Sequence, residues 1–275
     1  MGRSRTILIL SLLLSSAPWT SVAEEALIAV ASNFNAPAQA LIRRFERSTD
    51  HTLRLSQGSS GKLFAQVRNG APFDVFLSAD QALPATLVQQ GRAVAGSQFT
   101  YPPRALALWS EEAGLALGEH TLETLADASS APTLGKIAMA NPRIAPYGLA
   151  AQQALESAGR DAGSSDEWLA AQIVYGENIS QTFQFVATGN ARIGFVALSQ
   201  VLALEASRRG TYWRVPSVLH APIRQDAVLL SRAEGNAAAR EFLHFLRGDE
   251  ARAVIEGYGY ELEASSETQQ DTHDG

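Results

Sequence analysis

Short apolar runs with strand character alternate with helical patterns along almost the whole chain, and this alternation limits the folds open to it. Residues 26–31, 52–55 and 74–77 read as strands, and each is followed by helical spacing, over 37–48 (Leu41, Ile42, Phe45), 63–67 and 81–90. The same order returns with strands at 137–140, 173–174 and 193–196 and helices at 149–156 and 181–186. Repeated strand–helix units of this length predict an α/β fold of parallel sheets flanked by helices. Two later helices are read at 236–246 and 250–256.

Two segments look like crossings between lobes. Tyr101-Pro102-Pro103-Arg104 precedes an extended run at 105–109, and His220-Ala221-Pro222-Ile223-Arg224 precedes another at 226–230. Pattern alone leaves two layouts open. One is a single doubly wound domain. The other has a first lobe of 24–103 plus 224–262 and a second lobe of 104–223, joined by two crossing strands around a ligand cleft. Residues 263–275 are polar and unpatterned and are expected to be disordered.

The first 23 residues read as a secretion signal. Arg3 and Arg5 precede an apolar run at 7–14 broken only by Ser11, and Ser21-Val22-Ala23 offers small residues at the cleavage spacing. The run is too short for a membrane span. With residues 1–23 removed, 20 basic and 28 acidic residues remain, a net charge of −8. That balance argues against nucleic acid as a partner. The chain has no cysteine, which excludes thiol catalysis and thiolate metal sites. The histidines (His51, His120, His220, His244, His273) lack metal-ligand spacing.

Four loops at strand-to-helix junctions are rich in small hydrogen-bonding residues. They are Ser32-Asn33-Phe34-Asn35, Gly58-Ser59-Ser60-Gly61-Lys62, Asn141-Pro142-Arg143-Ile144-Ala145-Pro146-Tyr147-Gly148 and Glu177-Asn178-Ile179-Ser180. Each can be read as ordinary capping. Together they can also gather beyond the carboxyl ends of parallel strands, where helix-start N–H groups hold an anion without a formal positive charge. The second loop is no phosphate-binding P-loop, because Ser56 stands where the first glycine belongs and Leu63 follows Lys62. Ser59 and Lys62 do fit S-x-x-K, the pattern of a secreted Ser/Lys acyl hydrolase, but no K-T-G or S-D-N accompanies them. The only lysines are Lys62 and Lys136, and no G-x-S-x-G occurs. Asp74 and Asp80 flank a strand and read as capping or structural groups.

Ala29-Val30-Ala31-Ser32-Asn33-Phe34, Gly58-Ser59-Ser60-Gly61-Lys62 and the run from Gly70-Ala71-Pro72-Phe73-Asp74 to Ser78-Ala79-Asp80 resemble the periplasmic molybdate-binding proteins of bacterial ABC importers. Asn178-Ile179-Ser180-Gln181-Thr182-Phe183 and Gly189-Asn190-Ala191-Arg192-Ile193-Gly194 extend the resemblance. It implies a type II periplasmic-binding-protein fold, an extracytoplasmic monomer without enzymatic activity or cofactor, and a membrane permease as partner. It also implies that molybdate or tungstate is held as a bare dianion by neutral donors, with molybdenum bound only within that oxyanion. Carried over position by position, the donors fall on Ser32, Asn33, Ser60, the backbone of Tyr147 and the backbone of Ile179, with Ser59 beside Ser60. One branch of the family uses a tyrosine where this chain has Ala197, so the chain resembles the branch with a Ser/Thr-Asn pair in the first loop. Two other readings remain: a binding protein for another solute such as sulfate, thiosulfate or a small carboxylate, and the Ser59/Lys62 hydrolase.

Overall fold

A computed structural model describes residues 23–126, 134–158 and 172–258. The expected leader, apart from Ala23, and the polar tail lie outside the described residues.

Two five-stranded mixed sheets, each covered by helices on both faces, make up the molecule. The first contains β1 (Glu25–Ala31), β2 (Thr52–Gly58), β3 (Val75–Leu77), β4 (Phe99–Arg104) and β10 (Ile223–Leu229), in the order β2-β1-β3-β10-β4. The second contains β5 (Leu106–Ser110), β6 (Ile137–Ala140), β7 (Ile173–Gly176), β8 (Ile193–Ala197) and β9 (Thr211–Arg214), in the order β7-β6-β8-β5-β9. In each sheet three parallel strands are followed by an antiparallel fourth, β10 in one and β5 in the other. That fourth strand is in each case the one that arrives from the other sheet. Ala105 alone separates β4 from β5 at the first crossing. The return runs from β9 to β10, and there Ile223 lies opposite Arg104.

Helices α1 (Asn35–Ser48), α2 (Ser60–Arg68) and α3 (Ala82–Gln89) follow β1, β2 and β3. In the second sheet α4 (Glu119–Ala126) follows β5, α5 (Pro146–Ser157) follows β6, α6 (Ile179–Ala187) follows β7 and the short α7 (Leu198–Leu202) follows β8. The chain ends its described part with α8 (Ala237–Leu246) and α9 (Asp249–Gly257) back on the first sheet. The alternation read from sequence reappears here. Helix α4 and strand β9 went unread: α4 is only eight residues long, with Leu122 and Leu125 its only large apolar residues, and β9 is a half-exposed edge strand, Thr211-Tyr212-Trp213-Arg214. The segment 101–104, read as a crossing between lobes, belongs to an edge strand, where a proline's missing N–H costs no ladder bond.

Packing explains why the strands carry so few polar residues. On one face of the first sheet Ile28, Val30, Leu41, Phe45 and Phe242 form a core, and on the other Ala29, Phe76, Leu63 and Leu87 form a second. The central strands are therefore buried on both faces, as parallel strands under helices must be. Helix α5 needs Gly148 for its approach to β6. A Cβ there would stand 2.2 Å from the carbonyl oxygen of Ala140.

Asp74 fastens the start of β3. Its carboxylate accepts the Leu27 N–H at 2.7 Å and pairs with Arg232 in the turn after β10. Asp80 accepts the Leu83 N–H at 2.8 Å in the first turn of α3. Both are structural groups, but each acts alone. Replacing Asp74 by alanine strands a largely buried N–H and is expected to cost about 1–3 kcal/mol of stability. The check is urea unfolding, with a lower midpoint and an unchanged slope.

Candidate functional site

The two sheets offer equivalent edges to one another. Strands β1 and β2 on one side and β6 and β7 on the other end at a common cleft, and the loop after each runs into a helix start. Ser32 and Asn33 lie in a single 3-10 turn, Ser32–Phe34, between β1 and α1. Ser59 is the N-cap and Ser60 the first residue of α2. Tyr147 is the second residue of α5, after Pro146 at its first position. Ile179 opens α6, whose N-cap Asn178 accepts the Gln181 N–H through its side chain at 3.0 Å. The first N–H groups of a helix have no intrahelical acceptor, so four helix starts aim polar hydrogens and the positive ends of their dipoles at this place.

All six residues singled out from sequence, Ser32, Asn33, Ser59, Ser60, Tyr147 and Ile179, line one cavity, and all six are buried. The cavity is small: only ≈ 10 Å³ of it is open to the centre of a water molecule, on the order of one solvent-sized particle and far below the space an organic solute needs. The other lining residues are Ala31, Gly58, Ala79, Ala145, Pro146 and Asn178. No lining residue carries a charged side chain.

The two serines differ in their partners. Ser60 Oγ accepts the backbone N–H of Ala79 at 2.9 Å, which leaves its own proton to donate elsewhere. Ser59 Oγ is buried and has no hydrogen-bond partner in the protein. A buried hydroxyl without a partner is costly, and a ligand oxygen in the cavity would satisfy it. Asn33 donates from Nδ2 to Oε1 of Gln225 on β10. Neither Ala79 nor Gln225 was found from sequence. A backbone donor leaves no signal in the sequence. Gln225 does leave one, since Gln225-Asp226 is a polar pair entering an otherwise apolar run, Ala227-Val228-Leu229-Leu230.

Around the cavity the lobes touch directly. Gly61 N–H donates to the Ile144 carbonyl at 3.1 Å, and the Ser180 hydroxyl donates to the Ser32 carbonyl at 3.1 Å. Lys62 Nζ lies 2.6 Å from a Glu177 carboxylate oxygen across the cleft, both half-exposed. The lysine expected to serve a Ser/Lys hydrolase is thus engaged by Glu177, and Ser59 Oγ has no base bonded to it. Among the described residues no group of three or more His, Cys, Asp or Glu could hold a metal ion. Between β3 and α3, burial pushes the Asp80 carboxyl upward from its ordinary value, opposed by the Leu83 N–H and the Ser78 hydroxyl.

Two α/β lobes closing on a small polar cleft define a solute-binding protein. Residues 26–261 match the family model described as bacterial extracellular solute-binding protein, and the chain belongs to that family. It is 41% identical over 241 residues to the molybdate-binding protein ModA of Azotobacter vinelandii, covering 88% of this chain and 91% of that one. It is 40% identical over 263 residues to the protein of the same name from Rhodobacter capsulatus, covering 95% and 96%. Among solved structures, the periplasmic molybdate-binding protein of A. vinelandii superposes with a TM-score of 0.77 at 37% identity, over 86% of this chain and 99% of that one. These relatives are binding proteins rather than enzymes.

The lobe contact at Gly61 leaves little room for a side chain. A Cβ would lie 3.0 Å from the Ile144 carbonyl oxygen and 3.1 Å from its Cα, both backbone atoms with little freedom to move. Gly61→Val is therefore expected to hold the lobes apart. Small-angle scattering across a series of solutes checks this: the variant's smallest radius of gyration should exceed the parent's smallest.

Proposed function

We propose that this chain captures molybdate, and tungstate with it, outside the cytoplasm and delivers it to the membrane permease of an ABC importer. The observation that carries the proposal is the cavity itself: closed to all but a very small solute, bordered by four helix starts and free of charged side chains. Such a shell suits a compact dianion. Its donors come as neutral N–H and O–H groups already facing inward, so no counter-charge has to be desolvated. The family resemblance and the named relatives support molybdate as the cargo.

In this reading Ser32, Asn33, Ser59 and Ser60 donate from the first lobe, and Tyr147 and Ile179 donate through backbone N–H groups from the second. The first lobe comprises 24–103 with 224–262 and the second 104–223, and residues 1–23 direct export to the periplasm. The protein acts as a monomer. The ion bridges the lobes, and its differential affinity for the closed form draws the hinge shut. A shell made only of donors also measures protonation. Hydrogen phosphate would bring a hydrogen with no acceptor waiting, a mismatch of about 1–3 kcal/mol. Sulfate has no such hydrogen and has to be rejected by size.

Calorimetric titration of the purified chain with molybdate, tungstate, sulfate and phosphate tests this. Molybdate and tungstate should bind tightly and raise the melting temperature, and phosphate should do neither. Binding of sulfate as tight as that of molybdate would overturn the cargo assignment while leaving the fold untouched. The serines should separate in the same assay. Ser59→Ala is expected to weaken binding about tenfold while leaving the unliganded protein as stable as before, because Ser59 Oγ has no protein partner to lose. Ser60→Ala should lower both affinity and unliganded stability, because Ala79 N–H then loses its acceptor.

A further inference from the structure

The strand that returns from the second lobe to the first carries two consecutive buried polar side chains, Gln225 and Asp226. Asp226 is explained within its own lobe. Its carboxylate accepts from the Thr100 hydroxyl at 2.7 Å and from the side-chain amides of Gln98 and Gln81 at 2.5 and 3.1 Å. Gln225 is different. It is fully buried, it sits where the pairing of β10 with β4 slips register between Ile223 and Gln225, and its Oε1 accepts from Nδ2 of Asn33 at the edge of the ligand cavity. An irregularity of this kind re-aims side chains and tends to lie beside functional sites.

We propose that Gln225 is a positioning residue for oxyanion binding: it pins the amide of Asn33 so that nitrogen, not oxygen, serves the site. This rests on the oxyanion reading of the cleft. An asparagine amide has a donor end and an acceptor end of nearly the same shape. Facing a dianion, the acceptor end would repel it. An oxygen can accept from Nδ2 but not from Oδ1, so with Gln225 in this orientation a flipped Asn33 would set two carbonyl oxygens against each other in a buried site. One N–H of Asn33 is taken by Gln225, and the second remains for the ligand. Because Gln225 lies on a crossing strand, the donor's orientation is tied to the hinge.

The test is a double-mutant cycle in the full chain with molybdate as the probe. Gln225→Met keeps the length of the side chain and removes its oxygen acceptor. It should weaken binding about tenfold. Asn33→Ala should weaken it at least as much, and the double variant should bind within about twofold of Asn33→Ala alone, since the positioning residue then has nothing to position. Losses that multiply, or a Gln225→Met variant with wild-type affinity, would overturn the proposal. A measurement on the wild-type protein needs no variant. In the ligand-free state one of the two Asn33 side-chain amide protons should be shifted downfield in a 15N-edited spectrum and protected from exchange, and molybdate should then move chiefly the other. Two equivalent, freely exchanging protons would refute the Gln225 link. Failure of the wild type to bind molybdate would refute the cargo assignment instead, with the ligand-free spectrum still deciding the link.

Discussion

In the proposed function a small anion buried between two lobes has to be met by hydrogens, and the need to aim those hydrogens would account for much of the architecture. Helix starts supply them without a cation. Each lobe devotes two strands to placing such starts: β1 and β2 lead to the Ser32–Phe34 turn and α2, and β6 and β7 lead to α5 and α6. In both sheets these are the same two positions, first and second in spatial order from one edge. The cavity is thus built by two copies of one arrangement facing each other. That accounts for donors being divided between the lobes, and for a ligand being able to join them.

Closure has a cost that the protein meets partly on its own. The backbone bond from Gly61 to Ile144 and the hydroxyl bond from Ser180 to Ser32 join the lobes beside the cavity, and the Lys62–Glu177 pair lies at half-exposed positions. An exposed ion pair contributes little, about 0–1 kcal/mol, and salt screens it. The two hydrogen bonds require close backbone approach, which glycine at position 61 permits. In the proposed function, contacts of this strength would bias an open–closed equilibrium without locking it, leaving the ligand's own bonds to decide the balance. Lys62 also illustrates how the sole lysine of the first lobe is kept out of the binding shell. Its charge is spent on Glu177 of the opposite lobe, outside the cavity, where it does not make the site attractive to anions in general.

Much of this was legible in the sequence because the relevant signals are local. Buried parallel strands announce themselves as unbroken apolar runs, and the loops that follow show small polar residues and prolines at helix starts. The four loops were found in that way, and the family resemblance picked Ser32, Asn33, Ser59, Ser60, Tyr147 and Ile179 out of them; the structure brings these six to one cavity. What was not legible is non-local or lacks side-chain chemistry. Strand β9 is half-exposed, and α4 is eight residues long with two large apolar residues, so each leaves only a short signal. The Ala79 N–H beneath Ser60 is a backbone group. Gln225 lies 192 residues from its partner Asn33, and only the crossing of the chain brings the two together.

That pairing also bears on how a site without charged groups discriminates. Serine hydroxyls rotate, and a hydroxyl can offer either a hydrogen or a lone pair to what enters. Backbone N–H groups cannot, and an amide held at one end cannot either. Ser60 is biased toward donation because one of its two lone pairs already receives the Ala79 N–H, and the Asn33 nitrogen is bonded to Gln225. Among the side chains of the first lobe, then, two have their ambiguity reduced by a second bond, while the Ser59 hydroxyl has no such bond. The part of the shell fixed in this sense favours donors toward whatever enters. An anion able to accept on every oxygen meets no conflict, and one that brings its own hydrogen does. Discrimination of this kind resides in the bonds behind the donors as much as in the donors themselves.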